Sequence, residues 1–176
     1  CAFGGSLAGT SYMVYVARDL ALPTGVQGMV FALGALGSVA GAAIAPRWGR
    51  ALGAGRTLAV GLVLAGVGAA CVPLATGAGV FAIVLLVAHQ VVGGAGARIR
   101  DVHDRTLRQT AVGADLLARV GAGLRSVGYG ATLLGALAGG AIGTLASARA
   151  VLVLSAGVLG LAALWTWATL ARARPR

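Results

Sequence analysis

The chain alternates between long apolar runs and short segments rich in arginine, glycine or proline. A helix needs about 20 residues to cross the roughly 30 Å hydrocarbon core of a bilayer. Six runs approach or reach this length, which predicts an all-α bundle of six transmembrane helices. The predicted spans cover about residues 1–17, 26–45, 57–75, 80–98, 120–145 and 150–170.

One polar segment, Arg98 to Arg125, interrupts this pattern near the middle. It holds six of the fourteen arginines and three of the four aspartates. A charge at the centre of a membrane helix costs roughly 2.5–3.5 kcal/mol, so this segment is expected to lie in water. The pattern predicts a cytoplasmic loop over about residues 99–119, with the fourth helix continuing past Arg98.

The remaining boundaries come from breaker residues. Pro46 is expected to end the second span, because proline removes a helical hydrogen bond. A basic loop then follows from Pro46 to Arg56. The first span is short for a bilayer, and the chain begins inside an apolar run without methionine. We therefore expect residues 1–176 to form a single transmembrane domain that is a fragment of a longer protein.

Composition supports a membrane protein. Of 176 residues, 59% are hydrophobic and only 10% are charged, against about 25% charged in a typical soluble domain. The net charge of +10 does not indicate nucleic-acid binding, because the arginines lie in short bands with few aromatic residues among them. Two cysteines form neither a disulfide framework nor a metal motif. No enzyme signature is present, so we expect no catalysis, no cofactor and no metal.

The distribution of arginine predicts the orientation. Twelve of the fourteen arginines lie in the second-to-third connection, the central segment and the C-terminal tail. Arg18 and Arg149 lie on the other side. Because basic residues accumulate in cytoplasmic loops, both chain ends are expected in the cytoplasm, with the protein in the plasma or inner membrane.

Four residues are candidates for a substrate pathway. His89 and Gln90 lie within the fourth span, where polar groups usually face the bundle interior or a water-filled cavity. An imidazole there could exchange protons; the alternative is a neutral, structurally hydrogen-bonded ring. Tyr12 and Tyr15 share one face of the first span. They suit an amphipathic substrate or, alternatively, an aromatic belt at the membrane surface.

Glycines at helical spacing predict close helix packing. Gly135, Gly139 and Gly143 recur at every fourth position of the fifth span. The second span has a similar set, Gly34, Gly37 and Gly41. Small residues at this spacing let membrane helices approach closely. The alternative is the scatter of glycine and alanine expected from a GC-rich genome.

The segment from Asp101 to Val120 resembles the loop between the tenth and eleventh helices of bacterial major facilitator superfamily permeases. The similar branch contains enterobactin-exporter-like and macrolide-efflux-like proteins. The matching positions are Thr106-Leu107-Arg108-Gln109, Asp115-Leu116-Leu117 and Arg119-Val120. The stretch from Gly130 to Gly140 similarly resembles the eleventh helix. The resemblance implies that the chain is the C-terminal six-helix half of a twelve-helix transporter.

The connection after the second span carries a further resemblance. Arg47, Gly49 and Arg50 match the G-x-L-A-D-R-x-G-R-like motif of the superfamily, although proline replaces its aspartate. In the family this loop helps to latch the inward gate. The residues that the resemblance assigns to a cytoplasmic gate are Arg47, Gly49, Arg50, Arg108, Gln109, Asp115 and Arg119. A basic loop that only anchors the helices is the alternative.

These observations predict proton-coupled efflux of a small amphipathic molecule by alternating access. In this fold the pathway lies between two six-helix halves. The expected partners are therefore the lipid bilayer, a small-molecule substrate, protons, and either a missing N-terminal half or a second copy. Two alternatives remain: a stand-alone homodimeric transporter or channel, and a membrane assembly partner that transports nothing.

Overall fold

The computed structural model describes the backbone of residues 2–111 and 114–172. It also describes their side chains, except those of residues 108, 110, 111, 114, 115, 117 and 170–172. The described residues are helical apart from short connections, and no strand occurs among them. The helices are α1 (Ala2–Val14), α2 (Thr24–Leu52), α3 (Ala54–Leu74), α4 (Val80–Ala88), α5 (Gly94–Ala111), α6 (Ala114–Leu145) and α7 (Ala148–Arg172).

Two stretches of π-helix modify this arrangement. Tyr15–Asp19 extends α1, and His89–Gly93 joins α4 to α5 so that the three form one continuous helix. A π-helical turn adds a residue to the helix, and such turns occur frequently at functional sites. The described residues therefore form six helical rods, consistent with the predicted all-α bundle.

Five of these rods are long and apolar enough to cross a membrane. They are Thr24–Leu52, Ala54–Leu74, Val80–Leu107, Ala118–Leu145 and Ala148–Thr169. The first rod is shorter: α1 has 13 residues and its π-helical extension has 5. Large apolar side chains such as Leu36, Val80 and Trp165 lie exposed on the outside of the bundle. These features fit an integral multi-pass membrane protein, whose apolar exterior contacts lipid.

The prediction that Pro46 ends the second span is wrong, because α2 continues through Pro46 to Leu52. Proline removes only its own N–H, and membrane helices tolerate this loss where neighbouring groups or water satisfy the freed carbonyl. The helix ends at Gly53 instead, whose φ of +84° favours glycine. The hydroxyl of Thr57 donates to the carbonyls of Trp48 and Gly53, near the end of α2, where carbonyls lack intrahelical partners.

The central segment is also more regular than expected. The predicted loop over residues 99–119 is helical up to Ala111 and again from Ala114. Polarity alone does not separate a water-exposed helix from a loop. The segment Gly94–Ala111 has polar and apolar residues at helical spacing and no proline, so its backbone can continue the fourth rod beyond the apolar region.

The rods pair in an ordered way. The main contacts of α1 are with α6 and α7, those of α2 are with the rod α4–α5, and those of α3 are with α5 and α7. The list of contacting pairs stays the same when α1 is exchanged with the rod α4–α5, α2 with α6, and α3 with α7. Because each set contains three rods, exchanged rods run in opposite directions through the bundle. The chain is thus arranged as two inverted repeats.

The two ends of the bundle differ. We call the end with the α2–α3 and α5–α6 connections the arginine end. The other end, with the α1–α2, α3–α4 and α6–α7 connections, is the capped end. A cluster of buried apolar residues fills the capped end; it includes Leu20, Leu22, Val72, Ala75 and Leu152.

Candidate substrate groove

An open groove of about 750 Å³ runs along the inside of the bundle. It is lined by α1, α3, the rod α4–α5 and α7, with Phe31 from α2 and Thr132 from α6. Much of its wall consists of small residues: Ala2, Gly5, Ala8, Gly9, Ala65, Ala69, Gly93 and Ala97. Its polar lining residues are Ser6, Tyr12, His89, Arg100, Thr132 and Ser155. This volume lies within the range of about 300–1,000 Å³ that is usual for small-molecule sites.

Tyr12 and His89, two of the four predicted pathway residues, meet in this groove. Their ring centroids lie 5.4 Å apart, and the Phe31 ring packs edge-on against Tyr12 at 5.9 Å. Gln90 lies outside the groove lining, but its Nε2 donates to the Tyr12 hydroxyl at 3.4 Å. These contacts link α1, α2 and the π-helical turn in one aromatic cluster, formed by Tyr12, Phe31 and His89.

A backbone carbonyl of α3 fixes the tautomer of His89. Its Nδ1 lies 2.9 Å from the carbonyl oxygen of Gly68 on α3. Because a carbonyl oxygen can only accept, Nδ1 must donate, and the neutral ring then carries its lone pair on Nε2. Gly68 permits this approach, since a Cβ there would lie 2.6 Å from the Gly93 Cα. His89 is therefore a hydrogen-bonded ring that retains a proton-accepting nitrogen.

Tyr15, the fourth predicted pathway residue, lies outside the groove lining. Its hydroxyl donates to the carbonyl of Ala75, just beyond the end of α3. At the same place, Nε of Arg149 donates to the Pro73 carbonyl at 2.9 Å. Carbonyls at a helix C-terminus have no intrahelical partner. Tyr15 and Arg149 therefore form a side-chain cap on α3, the α3 cap, which ties three rods together.

The predicted gate residues lie on α2, α5 and α6. The residues Arg47, Arg50, Gln109 and Arg119 are exposed, and the side chains of Arg108 and Asp115 lie outside the described residues. Gly49 lies against α5, where a Cβ would collide with Nε2 of His103. His103 is buried and donates from Nδ1 to the Ile99 carbonyl at 2.9 Å. Gly49 thus packs against a buried histidine of α5.

The glycines predicted to pack do lie at close helix contacts. On α6, a Cβ at Gly135 would collide with the Phe3 carbonyl of α1, and one at Gly139 with the Thr10 side chain. Gly143 is looser, since its nearest contact is the Ser11 hydroxyl at 3.5 Å. In the second set, all three of Gly34, Gly37 and Gly41 make close contacts.

That second set lies on α2 and faces the rod α4–α5. A Cβ at Gly34 would lie 2.8 Å from the Gln90 side chain. A Cβ at Gly37 would lie 2.6 Å from the Val91 backbone, and one at Gly41 would lie 2.5 Å from the Ala95 carbonyl. The two glycine sets occupy equivalent places in the inverted repeats. One joins α1 to α6, and the other joins α2 to the rod α4–α5, so the groove is flanked by two close helix pairs.

Sequence reasoning missed most residues of the groove lining, among them Phe31, Arg100 and Ser155. The hydroxyl of Ser155 is buried and donates to the Gly4 carbonyl at 2.7 Å, which joins α7 to α1. The sequence pattern places Arg100 only within the polar segment. Its spacing of eleven residues from His89 corresponds to about three helical turns, so periodicity could have placed both on one face.

Among the described residues, no group of three or more histidine, cysteine, aspartate and glutamate side chains is positioned to hold a metal ion. The groove therefore offers hydrogen bonds, aromatic faces and one guanidinium to a ligand.

No family model matches this chain, and neither a curated protein nor a solved structure matches it.

Proposed function

We propose that this chain forms one wall of an alternating-access transporter of the major facilitator type, which exports a small amphipathic molecule in exchange for protons. The observation that carries the proposal is the groove, because it combines an apolar wall with polar groups deep inside a membrane bundle. Polar groups at such depth generally line substrate or ion pathways.

The pairing of the rods supports the same proposal. Many secondary transporters are built from inverted repeats with the substrate site between them, and the six-helix halves of major facilitator proteins contain three-plus-three repeats. The exchange of α1, α2 and α3 with the last three rods preserves the main contacts here. This symmetry of contacts is independent of the resemblance of the loop sequences.

The shape of the groove bears on the partner. The groove is open rather than enclosed, and binding sites usually surround most of a small ligand. We therefore propose that a second wall completes the pathway, supplied by an N-terminal half or by a second copy of this chain.

His89 is the proposed point of proton coupling. Its neutral ring keeps a lone pair on Nε2 while Nδ1 remains bound to Gly68. An imidazole gains a positive charge when its second ring nitrogen is protonated. Protonation of Nε2 would therefore put a positive charge on the groove wall without breaking the bond to α3.

We propose that the arginine end faces the cytoplasm of a plasma or inner membrane, on the basis of the arginine distribution. Cysteine labelling in intact cells checks this orientation. In a variant without native cysteines, an impermeant maleimide should label Thr76→Cys and should spare Arg105→Cys until the cells are opened. Labelling of Arg105→Cys from outside would reverse the orientation.

Transport itself is tested in proteoliposomes with the purified protein, using cationic, neutral and anionic amphipathic dyes. We expect a protein-dependent flux of at least one dye that increases when a pH gradient is imposed. Protein-free liposomes provide the background. Fluxes equal to this background for every dye would contradict transport, whereas flux without any effect of the pH gradient would contradict only the proton coupling.

A further inference from the structure

Arg100 differs from every other described residue that lines the groove, because it alone carries a permanent charge. Its side chain is 24% exposed. A guanidinium stays charged at all accessible pH values, and a charge next to lipid persists only where it is paired or faces water. The groove therefore has one strongly polar position in a wall that is otherwise apolar or neutral.

The partner of Arg100 is shared. Nε and Nη2 of Arg100 donate to Oδ1 of Asp101 at 3.1 and 2.6 Å, while Nη1 of Arg98 lies 3.6 Å from Oδ2. One carboxylate thus faces two guanidiniums and balances only one of their charges. A guanidinium has five N–H donors, and the two bonds to Asp101 leave three for another acceptor.

The other end of the groove has a different chemistry. The aromatic cluster at His89 lies eleven residues before Arg100, about 16 Å away along the helix. Gly93 and Ala97 line the wall between them, together with Ala65 and Ala69 of α3. A ligand that fills the groove would therefore contact a cation at one end, a smooth apolar wall in the middle and aromatic rings at the other end.

We propose that the groove binds an amphipathic anion, with its carboxylate or other anionic head on the guanidinium of Arg100 and its apolar body extending to the aromatic cluster. The proposal rests on the proposed function, whose substrate class it specifies. Arginine suits this role because its planar fork binds carboxylates and phosphates in a bidentate manner. Asp101 then acts as an internal competitor that occupies part of the fork when no ligand is bound.

Binding can be measured with the purified protein in phosphatidylcholine nanodiscs. The probes are dansylated undecanoic acid and its neutral primary amide, which differ only in the head group. We expect the acid to bind more tightly than the amide, and Arg100→Gln to weaken acid binding at least about tenfold, as expected for the loss of a charge-assisted hydrogen bond. Binding of the amide should remain nearly unchanged.

Arg98→Gln is the matched control, because Arg98 shares Asp101 but lies outside the groove lining. We expect it to leave the preference for the acid intact. Asp101→Asn provides an independent test if Arg100→Gln does not fold: removing the competitor should tighten acid binding several-fold. Weaker acid binding in Asp101→Asn, or equal binding of acid and amide by the wild type, would overturn the proposal.

An anionic lipid presents the same chemistry as an anionic solute, and a second set of nanodiscs distinguishes them. If phosphatidylglycerol lowers acid binding to the wild type and does not affect the residual binding of Arg100→Gln, a membrane lipid also occupies the site. If it has no effect, the site is selective for free anions. Dye flux without preference for anions would contradict this inference and leave transport intact, whereas selective binding without flux would contradict transport alone.

Discussion

The capped end and the arginine end of the bundle satisfy their polar groups in opposite ways. At the capped end, Tyr15 and Arg149 donate to carbonyls at the end of α3, and buried apolar side chains fill the space between the rods. At the arginine end, Arg47, Arg50 and Arg119 are exposed. The buried contact of His103 with Gly49 also lies at this end.

This difference indicates at which end of the bundle the groove opens to water. A dry end held by hydrogen bonds to backbone carbonyls resists opening, because each buried carbonyl that loses its donor costs about 1–3 kcal/mol. An end held by exposed charges opens at little cost, since surface ion pairs contribute about 0–1 kcal/mol. We expect the groove to be accessible from the arginine end, on which Arg100 lies, and closed at the capped end.

The largest effect is expected where the close contact between α2 and the rod α4–α5 is broken. Gly37→Leu places a side chain where even a Cβ would lie 2.6 Å from the Val91 backbone. The backbone of the rod α4–α5 cannot move aside without separating from α2. Overpacking usually costs about 1–3 kcal/mol, and a backbone clash should exceed this range. We expect loss of the monodisperse peak in size-exclusion chromatography in detergent.

Gly28→Leu is the matched control on the same helix, because Gly28 is exposed and no atom lies within 4 Å of a Cβ there. It should retain the elution profile of the wild type. If both variants elute alike, the close approach of α2 to the rod α4–α5 is not required for a stable bundle.

An intermediate effect is expected at the capped end. Tyr15→Phe removes the hydroxyl that donates to the Ala75 carbonyl while keeping the buried ring. The free energy of unfolding, measured by titration with dodecyl sulfate in mixed micelles, should fall by about 1 kcal/mol. Tyr129→Phe is the control, because Tyr129 is 72% exposed. Equal stability of the two variants would contradict the role of the α3 cap.

The sequence was informative where a single physical rule acted alone, and it was less informative where rules competed. Apolar length identified the helical rods, because lipid requires internally satisfied backbone groups. Pro46 did not end α2, since one missing hydrogen bond is small against the contacts of a long packed helix. The α3 cap could not be predicted, because Tyr15 and Arg149 meet carbonyls of a distant segment. Glycine spacing indicated both packed faces, but only the structure showed which atoms each glycine meets across the contact.

His89 lies between the two ends, and its replacement should have the smallest effect on stability. His89→Ala removes the bond from Nδ1 to the Gly68 carbonyl. Hydrogen bonds between membrane helices contribute about 0.6 kcal/mol on average, and alanine is a good helix former. The protein should therefore stay folded, with only a slight loss of stability in the same micelle titration.

The effect on transport should be larger if His89 couples protons to the groove. The wild-type rate should then change with pH, because an imidazole gains a positive charge as the pH falls. His89→Ala should lose this pH dependence, and so should His89→Gln, which keeps a hydrogen-bond donor for Gly68 but cannot carry a proton. His103→Gln, at the buried contact with Gly49, should retain it. A wild-type pH profile and rate in both His89 variants would mean that this residue only forms a structural hydrogen bond between α3 and the π-helical turn. His89 would then not be the point of proton coupling.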